Sequence, residues 1–154
     1  MQVLEFQTLS PSQTSDVLSL MAELDPEIRV TPQMVHEAVE AQGTHFFAAV
    51  ADDGRIVGCA SLCVSVSPTG RKAGVEDVVV SSAVRGQGIG RSLVERLIDF
   101  CRQELLDVDL HLTSRPQRAA ANELYLSLGF IRRETNYYRL KIRDGEILNE
   151  SIYL

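Results

Sequence analysis

Apolar and polar positions alternate over Val3 to Gln7, as in a short strand, and the period then lengthens. From Ser12 to Leu24, Val17, Leu18, Leu20 and Met21 recur with helical spacing until Asp25-Pro26 breaks the pattern. Thr31-Pro32 reads as an N-cap followed by proline in the first helical position, which opens a second helix to about Gln42 that Gly43 ends. His45 to Ala51 and Arg55 to Val66 are strand-like runs joined across Asp53-Gly54, a dipeptide suited to a hairpin turn. A loop, Ser67-Pro68-Thr69-Gly70, leads to an apolar strand from Val75 to Ser81. There follow a long amphipathic helix from Gly88 to about Glu104, a strand from Val108 to Thr113, and a helix from Pro116 to Leu128 that stops at Gly129. Phe130 to Arg133 and Asn136 to Ile142 are expected to finish as strands.

This order of elements predicts an α/β (α+β) domain in which an early antiparallel cluster of strands is extended by later βα units into a mixed sheet. At 154 residues the chain is expected to form one domain, 1–154, and no internal repeat, linker or low-complexity segment divides it. No apolar run reaches the ~18 residues of a membrane span, and Met1 to Glu5 lacks the features of a signal peptide, so a cytoplasmic protein without a membrane partner is the expectation. Cys59, Cys63 and Cys101 read as reduced small residues rather than a disulfide or zinc framework. A formal net charge of -6 argues against nucleic acid, which requires a basic surface, and suits a cationic partner such as an amine.

The chemistry concentrates between Val75 and Ser92. Val78, Val79 and Val80 form a strand that runs through Val84 into Arg85-Gly86-Gln87-Gly88-Ile89-Gly90 and then directly into a helix. Glycines let such a turn tighten, and the unpaired N–H groups of the first helical turn then point at an anion, usually a phosphate. A Walker-type loop fails twice, because Arg85 stands where its first glycine belongs and Arg91 where its lysine belongs. A dinucleotide fingerprint starting at Gly88 has Leu93 in place of its third glycine and stays only a weak alternative, although Asp107 and Asp109 fall about 20 residues on.

The remaining pattern, Arg-x-x-Gly-x-Gly at Arg85 to Gly90, resembles the acyl-CoA pyrophosphate loop of the GNAT superfamily of N-acetyltransferases. A second block, Leu110-His111-Leu112-Thr113 with Arg118-Ala119-Ala120-Ala121-Asn122-Glu123-Leu124-Tyr125-Leu126-Ser127-Leu128-Gly129-Phe130, resembles the family's later strand, helix and Leu-Gly-Phe ending. Together the two blocks cover about the last half of the chain.

The resemblance implies a largely antiparallel central sheet flanked by helices, with the Val75 and Leu110 strands splayed apart around the cofactor. It implies acetyl-CoA as cosubstrate, while the isolated histidines and the cysteine spacing indicate no metal site. Main-chain groups of Val78 and Val80, within the Val78-Val79-Val80 run, would meet the acetyl and pantetheine amides, and Gly86 to Ser92, including Arg91, would wrap the pyrophosphate. Direct acetyl transfer to an amine, without a covalent enzyme intermediate, is implied as well. Tyr125 matches the family's tyrosine near the thioester sulfur, a general acid, although a tyrosine among Leu124, Leu126 and Leu128 also reads as an aromatic that packs on the sheet. Many members carry a glutamate where this chain has Thr113, and a pantetheine-binding asparagine where it has Arg118. Arg118 and Asn122 are therefore both candidates for that contact.

Taking the proton from a free amine of pKa near 10 at neutral pH costs about 4 kcal/mol. Glu76 is the candidate base, because regular alternation places it on the same face as Val78 and Val80, with Asp77 opposite as its rival and water as the third choice. His36, His45 and His111 are isolated and read as solvated or hydrogen-bonded side chains. Arg132, Arg133, Tyr137 and Tyr138 read as cover for the sheet. Acceptor choice is expected in the segments Leu24 to Thr31 and Ser65 to Gly74, whose acids favour a small-molecule cationic amine. A protein or peptide N-acetyltransferase and a non-catalytic acyl-CoA-binding module are the alternatives, and a homodimer is left open.

Overall fold

The structure, a computed structural model, describes residues 1–148. Five strands form one sheet in the order β1 (Gln2–Phe6), β2 (Thr44–Val50), β3 (Ile56–Ser67), β4 (Gly70–Val80) and β5 (Asp109–His111). Neighbouring pairs are antiparallel except β4 with β5, which is parallel. Helices α1 (Pro11–Leu24) and α2 (Pro32–Glu40) cover one face, and α3 (Ile89–Phe100) covers the other. The mixed, largely antiparallel sheet flanked by helices is thus as the sequence implies. The expectation of one domain extends to residues 149–154, which lie outside the described part.

Local chemistry explains most boundaries. Ser10 caps α1 in a reciprocal capping box with Gln13, and Thr31 caps α2 through the Met34 amide, each ahead of a proline. Val17 and Leu20 of α1 and Val35 and Val39 of α2 bury against Phe46, Ala48, Cys59 and Val79. Ile89, Leu93, Leu97 and Phe100 of α3 bury against Phe47, Ala60, Leu62 and Val75 on the opposite face. The helix expected to reach Glu104 keeps its length, but its end widens into a π turn over Cys101–Leu105.

Other boundaries move. β4 starts at Gly70 rather than Val75, because pairing with β3 from Ser67↔Gly70 onward draws the intervening residues into a long hairpin. Helix α4 (Ala119–Ser127) begins three residues later than expected. The expected strands at Phe130–Arg133 and Asn136–Ile142 are not formed as such. Instead, β6 (Lys141–Arg143) and β7 (Glu146–Leu148) make a separate hairpin across Asp144-Gly145, both at positive φ, the backbone a two-residue hairpin turn requires. Arg132-Arg133-Glu134 lacks the alternating apolar face that would hold a strand against the core.

The decisive irregularity lies in β4. Cys59 pairs with Val79 but Ser61 with Glu76, so Asp77 and Val78 together oppose Ala60. This is a β-bulge, with Asp77 in the left-handed region at φ 52. It reverses the strand's faces: Val75 belongs to the α3 side and Val79 to the α1–α2 side, although four residues apart on a regular strand would share a face.

Tight packing seats α3 near this bulge. A Cβ on Gly58 would stand 3.1 Å from the Val79 carbonyl oxygen, 3.3 Å from Leu93 Cδ1 and 3.4 Å from Ile89 Cγ2. Gly58→Val is expected to lower stability by about 1–3 kcal/mol through overpacking, read as a fall in the urea midpoint. An unchanged midpoint would show that α3 is not held at this distance.

Candidate active site

β5 pairs with β4 over only Lys72 to Gly74, through Lys72↔Asp109, Ala73↔Leu110 and Gly74↔His111. β4 then continues to Val80, so among the described residues its β5-side edge from Val75 onward has no strand partner. Unpaired strand edges present backbone N–H and C=O groups to whatever lies beside them. Val78 and Val80 turn their side chains toward the α3 core, and Val79 is buried on the other side. Along this edge the valines therefore leave mainly main-chain groups open.

At the end of β4 a short 3₁₀ turn, Ser82–Val84, leads into the glycine loop. Gly86 and Gly88 both take φ 79, and nothing lies within 4 Å of where a Cβ would stand on either. Gly88 is the N-cap of α3 and supplies no side-chain cap, so the first-turn amides of Ile89, Gly90 and Arg91 have no capping group. No acidic residue occupies that turn to repel an anion. The loop fits a phosphate or pyrophosphate group. Gln87 stands between the glycines, and Ile89 keeps its side chain in the core.

Several expected loop residues brace the cradle. Arg85 Nε donates to the Val80 carbonyl at 3.0 Å, and its Nη2 lies 3.4 Å from Glu23 Oε2, which also accepts from the Ser82 amide at 2.8 Å. That amide bond, with help from Arg85, holds the Glu23 carboxyl below its ordinary range. Ser92 Oγ donates back to the Gly88 carbonyl, and Arg91 Nη2 reaches Ser127 Oγ at 2.6 Å, which ties α3 to α4. Glu23 carries no sequence signal, because its partner Ser82 is 59 residues away.

Beside the unpaired edge lies a cavity of about 190 Å³. β4 contributes Val75 to Val78, the segment after β5 contributes Leu112 to Ser114, and α4 contributes Tyr125 with its N-cap Arg118. The end of α1 and the α1–α2 connection border it with Leu24, Asp25 and Ile28. Regular alternation would have separated Glu76 from Asp77. The bulge instead brings both carboxylates to this one cavity and takes Glu76 off the face of Val78 and Val80.

The two carboxylates open to solvent through the cavity, yet partial burial pushes both upward from the ordinary range. Glu76 is raised first by burial and then by the charge of Asp77, with His111 opposing. His111 stays close: a Cβ on Gly74 would meet His111 Cε1 at 3.3 Å and Glu76 Oε1 at 3.5 Å. Burial also raises Tyr125, whose ring packs edge-on against Phe130 at 5.9 Å, so the hydroxyl keeps its proton. Ser114 Oγ is buried without a hydrogen-bond partner and lines the same cavity, a polar atom sequence reading did not single out.

Arg118 lines the cavity and donates from Nη2 to the Leu24 carbonyl at 3.3 Å. Asn122 does not line it, and its amide donates instead to the Arg115 carbonyl at 3.0 Å, ordering the approach to α4. The segment Ser65 to Gly74 does not line this cavity, because those residues are committed to the β3–β4 hairpin. His36 bonds to Thr14 and His45 to Glu5, outside the site. Burial pushes the Cys59 thiol up to about 12, which leaves it unreactive.

Residues 13–130 match the model of the Acetyltransferase (GNAT) family, and the chain belongs to that family. Glucosamine 6-phosphate N-acetyltransferase 1 of Oryza sativa subsp. japonica is 31% identical over 107 residues, which cover 61% of this chain and 65% of that protein, just under two thirds of its length. An acetyltransferase from Trypanosoma brucei superposes with a TM-score of 0.70 at 26% identity, covering 92% of this chain and 99% of that one. AAC(6')-Iy, solved with the bisubstrate analog CoA-S-monomethyl-acetylneamine, shares the fold with a TM-score of 0.72 at 15% identity, covering 92% and 98%. No helix among the described residues is long and apolar enough to cross a membrane.

Carboxylate titration followed by NMR should give midpoints above the ordinary range for both Glu76 and Asp77. Asp77→Asn removes the neighbouring charge and should lower the Glu76 midpoint, while burial keeps it above a free glutamate. A Glu76 midpoint that does not move would show that the two groups do not sense each other.

Proposed function

We propose that the chain is an acetyl-CoA-dependent N-acetyltransferase whose acceptor is a small cationic primary amine. The observation that carries this reading is the unpaired β4 edge, which runs from the uncapped glycine cradle to a cavity holding two carboxylates and a protonated tyrosine. The solved neighbour bound to a CoA-containing bisubstrate analog supports the same use of the fold.

Bound acetyl-CoA would supply an activated acetyl carbon and a thiolate leaving group. Gly86 to Ser92 would hold its pyrophosphate, with Arg85 and Arg91 bracing the loop, and main-chain groups of Val78 to Val80 would align its amide arm. Arg118, not Asn122, stands at the cavity for a further cofactor contact. Fixed backbone N–H groups of the bulged edge would stabilise charge that develops on the acetyl oxygen. Glu76 would take the ammonium proton, directly or through water, because its raised pKa makes it a better base than an ordinary glutamate. Tyr125, raised and protonated, would return a proton to the thiolate.

The acceptor follows from charge. Asp25, Glu76 and Asp77 surround the cavity and Arg118 is the one guanidinium on its lining. An ammonium group is attracted there, whereas a phosphate-bearing amino sugar, the substrate named for the rice relative, would meet three carboxylates. A panel of amines with acetyl-CoA, read by thiol release, tests the activity, and no release with any of them would leave a binding module.

Within an active enzyme, Tyr125→Phe keeps the ring packing and is expected to lower kcat by about 10²-fold with cofactor affinity nearly preserved. Equal turnover would return Tyr125 to a packing role. Glu76→Gln should reduce kcat at neutral pH, with partial recovery as pH approaches the pKa of the amine itself. A raised KM with kcat maintained would instead mean that the carboxylate only attracts the cation.

A further inference from the structure

Beyond the Leu24–Ile28 wall lies a second cavity of about 240 Å³, bordered by α1, α2, their connection and the sheet face of β2, β3 and β4, and open to solvent beside Ile28 and Met34. It shares Leu24, Asp25, Ile28 and Asp77 with the catalytic cavity. Its chemistry is different. Met21, Ile28, Met34, Val39 and Phe46 typify its lining, which includes no lysine, arginine or histidine. Its only charged groups are Asp25 and Asp77, both on the shared side.

An apolar chamber joined to an acidic one through common carboxylates selects a molecule of matching polarity. The ammonium end is drawn to Asp25, Glu76 and Asp77, and an attached apolar group is placed to leave water for the second chamber. A cavity of roughly 150 Å³ accepts a benzene ring, so the space here suffices for an aryl or branched alkyl group. Two methionines on the wall add side chains that adjust to irregular shapes.

We propose that this second cavity is an acceptor subsite, and that the preferred substrates are small primary amines with an aryl or branched alkyl group a few carbons from the nitrogen. This inference rests on the amine-acetylating reading above and narrows it to an amphipathic acceptor. The reaction is unchanged: the N–C bond forms, the C–S bond of the thioester breaks, and the ammonium proton leaves through Glu76 or water.

The test compares 2-phenylethylamine and 3-methylbutylamine with ethylamine, all with acetyl-CoA, by thiol release. Binding of 2-phenylethylamine is followed separately through the methionine methyl signals in NMR. Expected are kcat/KM values at least about tenfold higher for the two apolar amines, and shifts of the Met21 and Met34 methyls while Met1 stays still. Ala38→Phe, at an exposed position of α2 on the chamber wall, should abolish most of the tenfold difference and the methyl shifts. Equal turnover of all three amines with still methyls would overturn the subsite and leave the acetyltransferase reading intact. Methyl shifts lost in Ala38→Phe without any turnover would keep the subsite and overturn the activity. A peptide with N-terminal phenylalanine in the same assay separates sources. Its acetylation in preference to 2-phenylethylamine would overturn the small-molecule assignment.

Discussion

The site depends on one extra residue in β4. By inserting Asp77 opposite Ala60, the bulge lets Val75 pack under α3 while Val79 packs under α1 and α2, so one strand supports both cores. The left-handed backbone at Asp77 costs about 1 kcal/mol for a residue other than glycine, and aspartate tolerates it better than most. That local strain is offset by burial of apolar side chains on both faces of the sheet. The same insertion brings Glu76 and Asp77 to one cavity, which a regular strand forbids.

From Val75 onward, through the bulge, the loss of pairing between β4 and β5 exposes a run of main-chain groups that leads toward the start of α3. The loop between them is not held by its glycines alone. Arg85 closes on the Val80 carbonyl, and Glu23 of α1 receives both Ser82 and Arg85, so the opposite helical layer helps fix the anion cradle. Arg118 performs a related service at the far side, where it anchors α4 to the carbonyl that ends α1. The C-terminal end of α1 thus touches both halves of the site, and movement of the α1–α2 connection would be felt at each.

Electrostatics and packing divide recognition between them. Carboxylates raised by burial are suited to receiving a proton, and a tyrosine raised by burial is suited to keeping one. In the proposed reading, charge selects at the inner cavity, whereas the adjoining chamber discriminates by apolar contact, a term that grows with the area removed from water.

Much of the architecture was legible from residues close in sequence. Helical spacing, the Ser10 and Thr31 neighbourhoods, the Asp53-Gly54 turn and the Arg85 to Gly90 loop are specified within a few residues, because caps, turns and left-handed glycines are local conformations. Family likeness singles out Tyr125 as a general acid, and the fold sets it on the lining of the β4 cavity. What only the tertiary structure decided is non-local. The bulge requires the register of β4 against β3, Glu23 acts across 59 residues, and Arg118 reaches Leu24 across 94. Regular alternation assigned Glu76 and Asp77 to opposite faces because a periodic pattern contains no sign of an inserted residue. The closing strands were misplaced for a similar reason, since a strand is defined by its partner's edge, and a sequence does not show which edge is available.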